Sequence, residues 1–283
     1  MESNVFRHAT MKLTLICCSA IFVIHGRSHA AAPIQLASPD GKVVVGISAG
    51  DSNSFGYTLA ARGTPLVSHS ALGLDFGAAG KAPASGWKIA DTKSRSVNTT
   101  WKPLWGKRAV VPDRYRETIV ELTGPGAPFD RITITARAYD DGIAFRYSIP
   151  ADAKGNSAKA TGELTEYNFA GDFTAWFYNH EQHNLGPDKL SVLTGNREPV
   201  MTVQAAQNAF LALHEADLRT GEPLQLTKSG TTSFRALTAP GEIAPGYAGP
   251  WRVIFYGTTP GAMVDSHLIE LLNPDPKGDF SWV

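Results

Sequence analysis

Apolar and polar positions alternate with period two along much of this chain, most clearly on the two arms that flank Asp140-Asp141-Gly142. Ile132, Ile134, Ala136 and Ala138 alternate with Thr133, Thr135, Arg137 and Tyr139 before the turn. Ile143, Phe145, Tyr147 and Ile149 alternate with Ala144, Arg146 and Ser148 after it. Alternation on both arms of a glycine-ended turn predicts a β-hairpin. Its Ile143, Phe145, Tyr147 and Ile149 face suits a sandwich core, and Arg146 points the other way.

The same pattern recurs on both sides of the hairpin. Residues 32–37 read as an edge strand, Ser38-Pro39-Asp40-Gly41 as a turn, and Val43 to Ile47 as the next strand. Tyr57 to Ala61, the turn Arg62-Gly63-Thr64-Pro65 and Ala71 to Phe76 continue the meander. Later strands are expected at 199–203, 209–214, 224–226, 233–237 and 251–256. One helix is expected near the end, capped by Thr259-Pro260, with Met263, Leu268, Ile269, Leu271 and Leu272 inward and a stop at Asn273-Pro274. Lys189 to Leu193 suits a second, short helix. The pattern predicts an all-β chain, a large antiparallel β-sandwich with one or two short helices and no internal repeat.

Composition agrees with many short strands joined by tight turns, since Gly (27) and Pro (18) are plentiful and charged residues are only 18% of the 283. Lys plus Arg and Asp plus Glu are both 26, which leaves no electrostatic footprint for nucleic acid or an anionic membrane. Neutral ligands fit better.

The first thirty residues read as a targeting segment. Met11-Lys12, the apolar run Leu15 to Ile24, and Ser28-His29-Ala30 ahead of Ala31 give the charge, apolar core and small-residue site of a signal peptide. The run is short of the roughly 20 apolar residues of a membrane span, so an exported, periplasmic or secreted product is expected. Both cysteines, Cys17 and Cys18, fall inside the segment. Ile16 ahead of Cys17 argues against a lipid anchor, so the exported chain folds without disulfides or thiolate metal sites.

Candidate chemistry concentrates in Thr174 to Asn184, where Trp176, Tyr178, His180, Glu181 and His183 lie within one short span. Aromatic faces suit sugar rings and a carboxylate suits a hard cation such as calcium. The residues alone favour the commoner arrangement, an aromatic strand end with solvated polar neighbours. Trp101-Lys102-Pro103-Leu104-Trp105-Gly106-Lys107-Arg108 is either a sugar platform or a packed cover on the sandwich, and packing is the commoner fate of tryptophan in such a loop. His214-Glu215-Ala216-Asp217 ends a strand either in a site or in a solvated turn. His180-Glu181-Gln182-His183 lacks the four-residue histidine spacing of zinc hydrolases. No phosphate loop, nucleophile elbow or dinucleotide fingerprint is present.

Taken in order, Ser38-Pro39-Asp40-Gly41, Leu72-Gly73-Leu74, Trp101-Lys102-Pro103-Leu104-Trp105-Gly106, Tyr115-Arg116-Glu117, Asp141-Gly142-Ile143-Ala144-Phe145-Arg146-Tyr147, His214-Glu215-Ala216 and Pro250-Trp251-Arg252 resemble the N-terminal domain of glycoside hydrolase family 97, exported bacterial α-glucosidases and α-galactosidases. The resemblance covers residues 31–283, with residues 1–30 as the signal peptide. It implies a β-supersandwich of the galactose-mutarotase-like kind, followed in complete members by a (β/α)8 barrel that carries the catalytic acid and base. The barrel is expected C-terminal to Val283. The resemblance also implies that Glu181 supplies one ligand to a calcium ion shared with barrel glutamates. His180, Gln182, His183 and Arg219-Thr220-Gly221 depart from the family pattern.

The expected function is therefore the N-terminal domain of an exported calcium-dependent glycoside hydrolase acting on α-linked oligosaccharides. It would supply Glu181 and a wall of the sugar site, with Trp176, Tyr178, His214 and Glu215 as carbohydrate contacts, and would be inactive alone. Two other readings compete. One is a free-standing carbohydrate-binding module using Trp176, Tyr178 and Trp101. The other is a mutarotase-like isomerase with His214 or His180 and Glu181 or Glu215 as acid and base.

Overall fold

The computed structural model describes residues 1, 33–49, 55–84, 86–178 and 184–282. The chain divides into two units, Met1–Ala30 and Ala31–Val283. All the elements below belong to the second, and the expected signal peptide, apart from Met1, lies outside the described residues.

Alternation and turn chemistry build the opening meander. Ile34–Ala37, Val43–Ala49, Phe55–Ala61 and Thr64–Ala71 pair in that order as a four-stranded antiparallel sheet. Gly41 takes φ 74°, the left-handed conformation that closes the Ser38-Pro39-Asp40-Gly41 turn at no side-chain cost. The turn is tied by Val43 N–H donating to Ser38 Oγ at 3.0 Å and Lys42 N–H donating to Asp40 Oδ1 at 3.0 Å.

A twelve-stranded antiparallel sheet packs on this meander. Seven of its strands run in the spatial order Asn196–Ala206, Ala209–Ala216, Trp251–Gly257, Gly142–Ser148, Arg131–Tyr139, Val111–Thr123 and, outermost, Lys88–Trp101. Thr174–Tyr178 adds beside Asn196–Ala206 and pairs in turn with Asn184–Lys189. The hairpin expected around Asp140-Asp141-Gly142 forms with Ile143 opposite Ala138 and Tyr147 opposite Ile134. A side chain on Gly142 would place its Cβ 2.6 Å from Ile254 O and 2.8 Å from Leu268 Cδ2, so this turn admits glycine alone.

The core lies between the sheets. Ile132, Ile134, Phe145, Tyr147, Leu213 and Ile254 meet Val45, Ile47, Tyr57 and Leu59 in one cluster, with the Tyr57 and Phe145 ring centroids 5.1 Å apart. Burial of each such side chain contributes about 1.5–3 kcal/mol against exposure.

Residues of opposite parity form a second cluster on the outer face of the large sheet. Tyr115, Tyr139, Ala144, Ala212, Trp251, Val253 and Phe255 pack there with Leu268 and Leu272. The single terminal helix expected from the sequence is two short ones, Pro260–Asp265 and Leu268–Leu272. Thr259 caps the first as expected, accepting from Ala262 N–H. Ser266 ends it, because its Oγ donates to Asp141 Oδ2 at 2.6 Å and accepts from Leu268 N–H at 3.0 Å. The helix expected over Lys189 to Leu193 is one 3-10 turn, Leu190–Val192.

Two features of the sheet's far end matter below. Among the described residues Lys88–Trp101 pairs on one side only, with Val111–Thr123, and apart from Val97 and Trp101 its residues are exposed. The loop after it is not the packed cover expected, because Trp105 is 57% exposed.

Candidate functional site

Strand parity decides where each candidate side chain goes. In Thr174–Tyr178, Ala175 and Phe177 enter the core, so Trp176 and Tyr178 face outward, half-buried and exposed respectively. A register shift between Trp176 and Tyr178 against Asn196–Ala206 marks a bulge there, the device that re-aims side chains beside sites. Residues 179–183 follow, so Glu181, His180 and His183 lie outside the described residues. Among the described residues no three His, Cys, Asp or Glu side chains are grouped so as to hold a metal ion.

His214 shares the outer face. It stands opposite Val253 of the outer cluster, and its buried Nδ1 has no hydrogen-bond partner among the described residues. Burial lowers its pKa and favours the neutral ring. Trp176 and His214 are two strands apart, about 10 Å at ~4.8 Å per strand.

Glu215 does not join them, which corrects its expected role as a sugar contact. One residue beyond His214, it points into the sandwich opposite Arg252. Its Oε2 accepts from Arg252 Nη1 at 2.8 Å and from Leu224 N–H at 2.7 Å. Arg252 is 2% exposed and also donates through Nε and Nη2 to Glu163 Oε2, at 2.9 and 2.6 Å. Glu215 is thus committed to a buried ion network. His214 and Glu215 leave opposite faces of one strand and cannot act together as acid and base.

The outer face instead carries a row of residues that sequence reasoning missed. Glu117, 2% exposed, accepts from Arg95 Nε at 2.6 Å and from Arg137 Nε at 2.7 Å. The Arg137 guanidinium lies 4.4 Å from the Tyr115 ring centre and 4.8 Å from that of Trp251. Arg146 lies 4.5 Å from the Trp251 ring, with Nη1 3.5 Å from Asp217 Oδ2. Arg219 Nε donates to Asp217 Oδ1 at 2.7 Å. Asp217 sits at φ 55°, a conformation uncommon outside glycine, fixed by its N–H donating to Asn273 Oδ1 at 2.9 Å.

Four arginines here face two carboxylates, and the buried Nε of Arg146 has no partner among the described residues. Burial, with Arg137 next to it, lowers the Arg146 pKa. The row offers fixed hydrogen-bond donors and aromatic surface for a hydroxyl-rich or electron-rich group. Both of its carboxylates are held by arginines, so neither is free to act as a general acid.

The family model described as Glycosyl-hydrolase 97 N-terminal matches residues 36–274. This chain belongs to that family. A probable retaining alpha-galactosidase of Streptomyces bingchenggensis is 23% identical over 268 residues, 91% of this chain and 38% of that protein. A retaining alpha-galactosidase of Bacteroides thetaiotaomicron is 23% identical over 291 residues, 88% of this chain and 42% of its own length. A glycoside hydrolase family 97 enzyme from Pseudoalteromonas sp. strain K8, solved in complex with acarbose, superposes with a TM-score of 0.80 at 26% identity, over 88% of this chain and 39% of that one. A variant of a family 97 enzyme from the same strain has been solved with panose. The chain therefore spans about two-fifths of the length of the relatives it matches.

In this glycosyl-hydrolase 97 N-terminal domain, the outer row has a pH signature. Burial works to raise the Glu117 pKa, but hydrogen bonds from Arg95 and Arg137 hold it below its ordinary 4.5. A depressed folded pKa contributes stability that is present above 4.5 and lost as pH falls through the folded value. Glu215 has the opposite sign. Burial raises its pKa against the pull of Arg252, so its contribution is complete below the ordinary value and is lost as pH rises. Glu117→Gln is expected to lower the thermal midpoint at pH 7, by a margin that shrinks as pH falls below 4.5. A midpoint difference that stays constant across that range would refute the assignment.

Proposed function

We propose that this chain is the N-terminal β-domain of an exported, calcium-dependent glycoside hydrolase acting on α-galactosides or α-glucosides. It forms one wall of the sugar site with the outer face of its large sheet. The catalytic acid and base belong to a (β/α)8 barrel C-terminal to Val283. Residues 1–30 direct export, with cleavage ahead of Ala31.

The observation that carries this reading is the makeup of the outer face. Trp176, Tyr178 and His214 share it with the row from Arg95 to Arg219, while Glu117 and Asp217 are each neutralised by arginines. Such a face binds and orients. Aromatic rings take the apolar face of a pyranose, and arginine N–H groups donate to hydroxyl oxygens. Hydrolysis needs two carboxylates about 5–10 Å apart across the scissile bond, one of them a free acid, whereas Glu117 and Asp217 are each held by arginines.

Glu181, in the segment after Tyr178, is the residue this chain brings to the calcium ion. Calcium takes about six to eight oxygen ligands, so the rest come from the barrel.

The test is to purify the protein, establish a cooperative thermal transition, and assay aryl α-galactoside and α-glucoside hydrolysis with calcium present. No turnover is expected from the folded chain. Turnover abolished by a substitution within it would make the domain an enzyme in its own right and overturn the reading. The isomerase alternative loses its His214–Glu215 pairing, because the two side chains leave opposite faces of one strand.

A further inference from the structure

The Lys88–Trp101 strand carries the outer face past Arg95 to Trp101, about 20 Å further along. There the loop after Trp101 and the segment after helix Leu268–Leu272 enclose a cavity of about 450 Å³. Its aromatic wall is Trp101, Trp105 and Phe280, and Glu270, Asp275 and His267 supply polar groups. It shares no lining residue with the arginine row or with Trp176, Tyr178 and His214.

The wall is rigidly placed and open. Trp101 Nε1 donates to Asp275 Oδ1 at 2.9 Å, which fixes its ring. Trp105 leans on Phe280 with ring centroids 5.8 Å apart, yet remains 57% exposed. A packed cover would have buried it. The loop is braced from behind, since Lys107 Nζ donates to Val264 O at 2.5 Å and Arg108 Nη1 to Asp265 O at 2.9 Å.

The polar side of the cavity narrows the class of ligand. His267 is 8% exposed, and neither ring nitrogen has a hydrogen-bond partner among the described residues. Glu270 Oε1 stands 3.5 Å from Nδ1 without forming a hydrogen bond. Each imidazole nitrogen is a donor or an acceptor, and a hydroxyl group answers either. A purely apolar ligand would leave His267 and Glu270 unsatisfied, and an anion would meet the Glu270 and Asp275 carboxylates. A pyranose has an apolar face for an exposed indole and a rim of hydroxyls for carboxylates and imidazole, and the volume is in the range of ligand pockets.

We propose that this cavity is a second carbohydrate-binding site, in which Trp105 takes the apolar face of a pyranose while Glu270, Asp275 and His267 take its hydroxyls. The site goes beyond the function proposed above and rests on it only for the choice of α-linked sugars. It needs no barrel and no calcium.

The test is to titrate the purified protein with panose and, separately, with melibiose, following tryptophan fluorescence and heat of binding. Saturable binding of at least one sugar is expected. Trp105→Ala should weaken it about tenfold or more with an unchanged thermal midpoint, because that ring is largely exposed. Glu270→Gln should weaken it several-fold, and substitution of an exposed residue outside both sites, Val192→Ala, should leave it intact. Absence of saturable binding by both sugars would overturn the proposal, as would binding that survives Trp105→Ala or is lost in Val192→Ala. A chain that binds panose through Trp105 and also hydrolyses glycosides would refute the domain's proposed role and leave this site standing. A chain that does neither would do the reverse.

Discussion

Replacing Arg252 with alanine is expected to cost about 3–5 kcal/mol of folding stability, the range for removing one partner of a buried ion network. Its guanidinium is 2% exposed and is shared by Glu163 and Glu215, while Nη2 also donates to Glu222 O at 3.2 Å. Removing it strands two carboxylates in the sandwich. They must then ionise unpaired or take up protons, and their remaining donors, Thr165 Oγ1 for Glu163 and Leu224 N–H for Glu215, supply no positive charge. Arg252→Met, which keeps much of the volume, should be nearly as damaging. Adding Glu163→Gln and Glu215→Gln to Arg252→Met should restore a substantial part of the loss, since apolar or neutral replacement of a whole buried network is often tolerated. Urea denaturation of the series measures this. If Arg252→Met is far milder than Arg252→Ala, the side chain matters for its volume and not for its charge.

Trp251→Ala is expected to cost a similar amount, about 3–5 kcal/mol, for a large aromatic removed from a packed cluster. Trp251 is 1% exposed and has the Arg137 and Arg146 guanidinium groups 4.8 and 4.5 Å from its ring. Its loss opens a void under the outer face and releases two cations from the surface that positions them. Trp251→Phe keeps a ring in place and should recover more than half of the loss. The measurement is the thermal midpoint together with arginine side-chain Nε resonances. Stability lost without any change in those resonances would mean that the ring fills space and does not position the arginines.

Most of the fold can be read from alternation. The Arg131–Tyr139 and Gly142–Ser148 hairpin, the Gly41 turn and the Thr259 cap follow from local chemistry that acts within a few residues. The terminal helix was harder to read. Its interruption depends on Ser266 reaching Asp141 Oδ2, a partner far away in sequence, and helical periodicity carries no trace of it.

The site divides along the same line. Trp176 and Tyr178 stand out because aromatic residues cluster in the sequence itself. The charged row does not, since Arg95, Glu117 and Arg137 become neighbours only through the registers of two strand pairs, Arg95 opposite Glu117 and Glu117 opposite Arg137. Arg146 was placed on the outward face by parity, but the ring beneath it comes from Trp251, across a strand pairing that the sequence does not announce. Glu215 shows the cost of reading polarity without parity. A carboxylate at a strand end suggests solvent, and one step of the pleat turned it inward onto Arg252.

The outermost strand of the large sheet bears on how the protein behaves when concentrated. Lys88–Trp101 is 14 residues long and, among the described residues, bonded along one side only, so its other side presents backbone N–H and C=O groups to any neighbouring chain. Formal net charge is +0, so long-range repulsion between molecules does little to keep them apart. Protection against edge-to-edge stacking must come from the strand itself. Lys88, Lys93 and Arg95, interspersed with serine and threonine, supply it at this edge, because pairing two such edges would strip water from those charges. The outer edge of the large sheet guards itself.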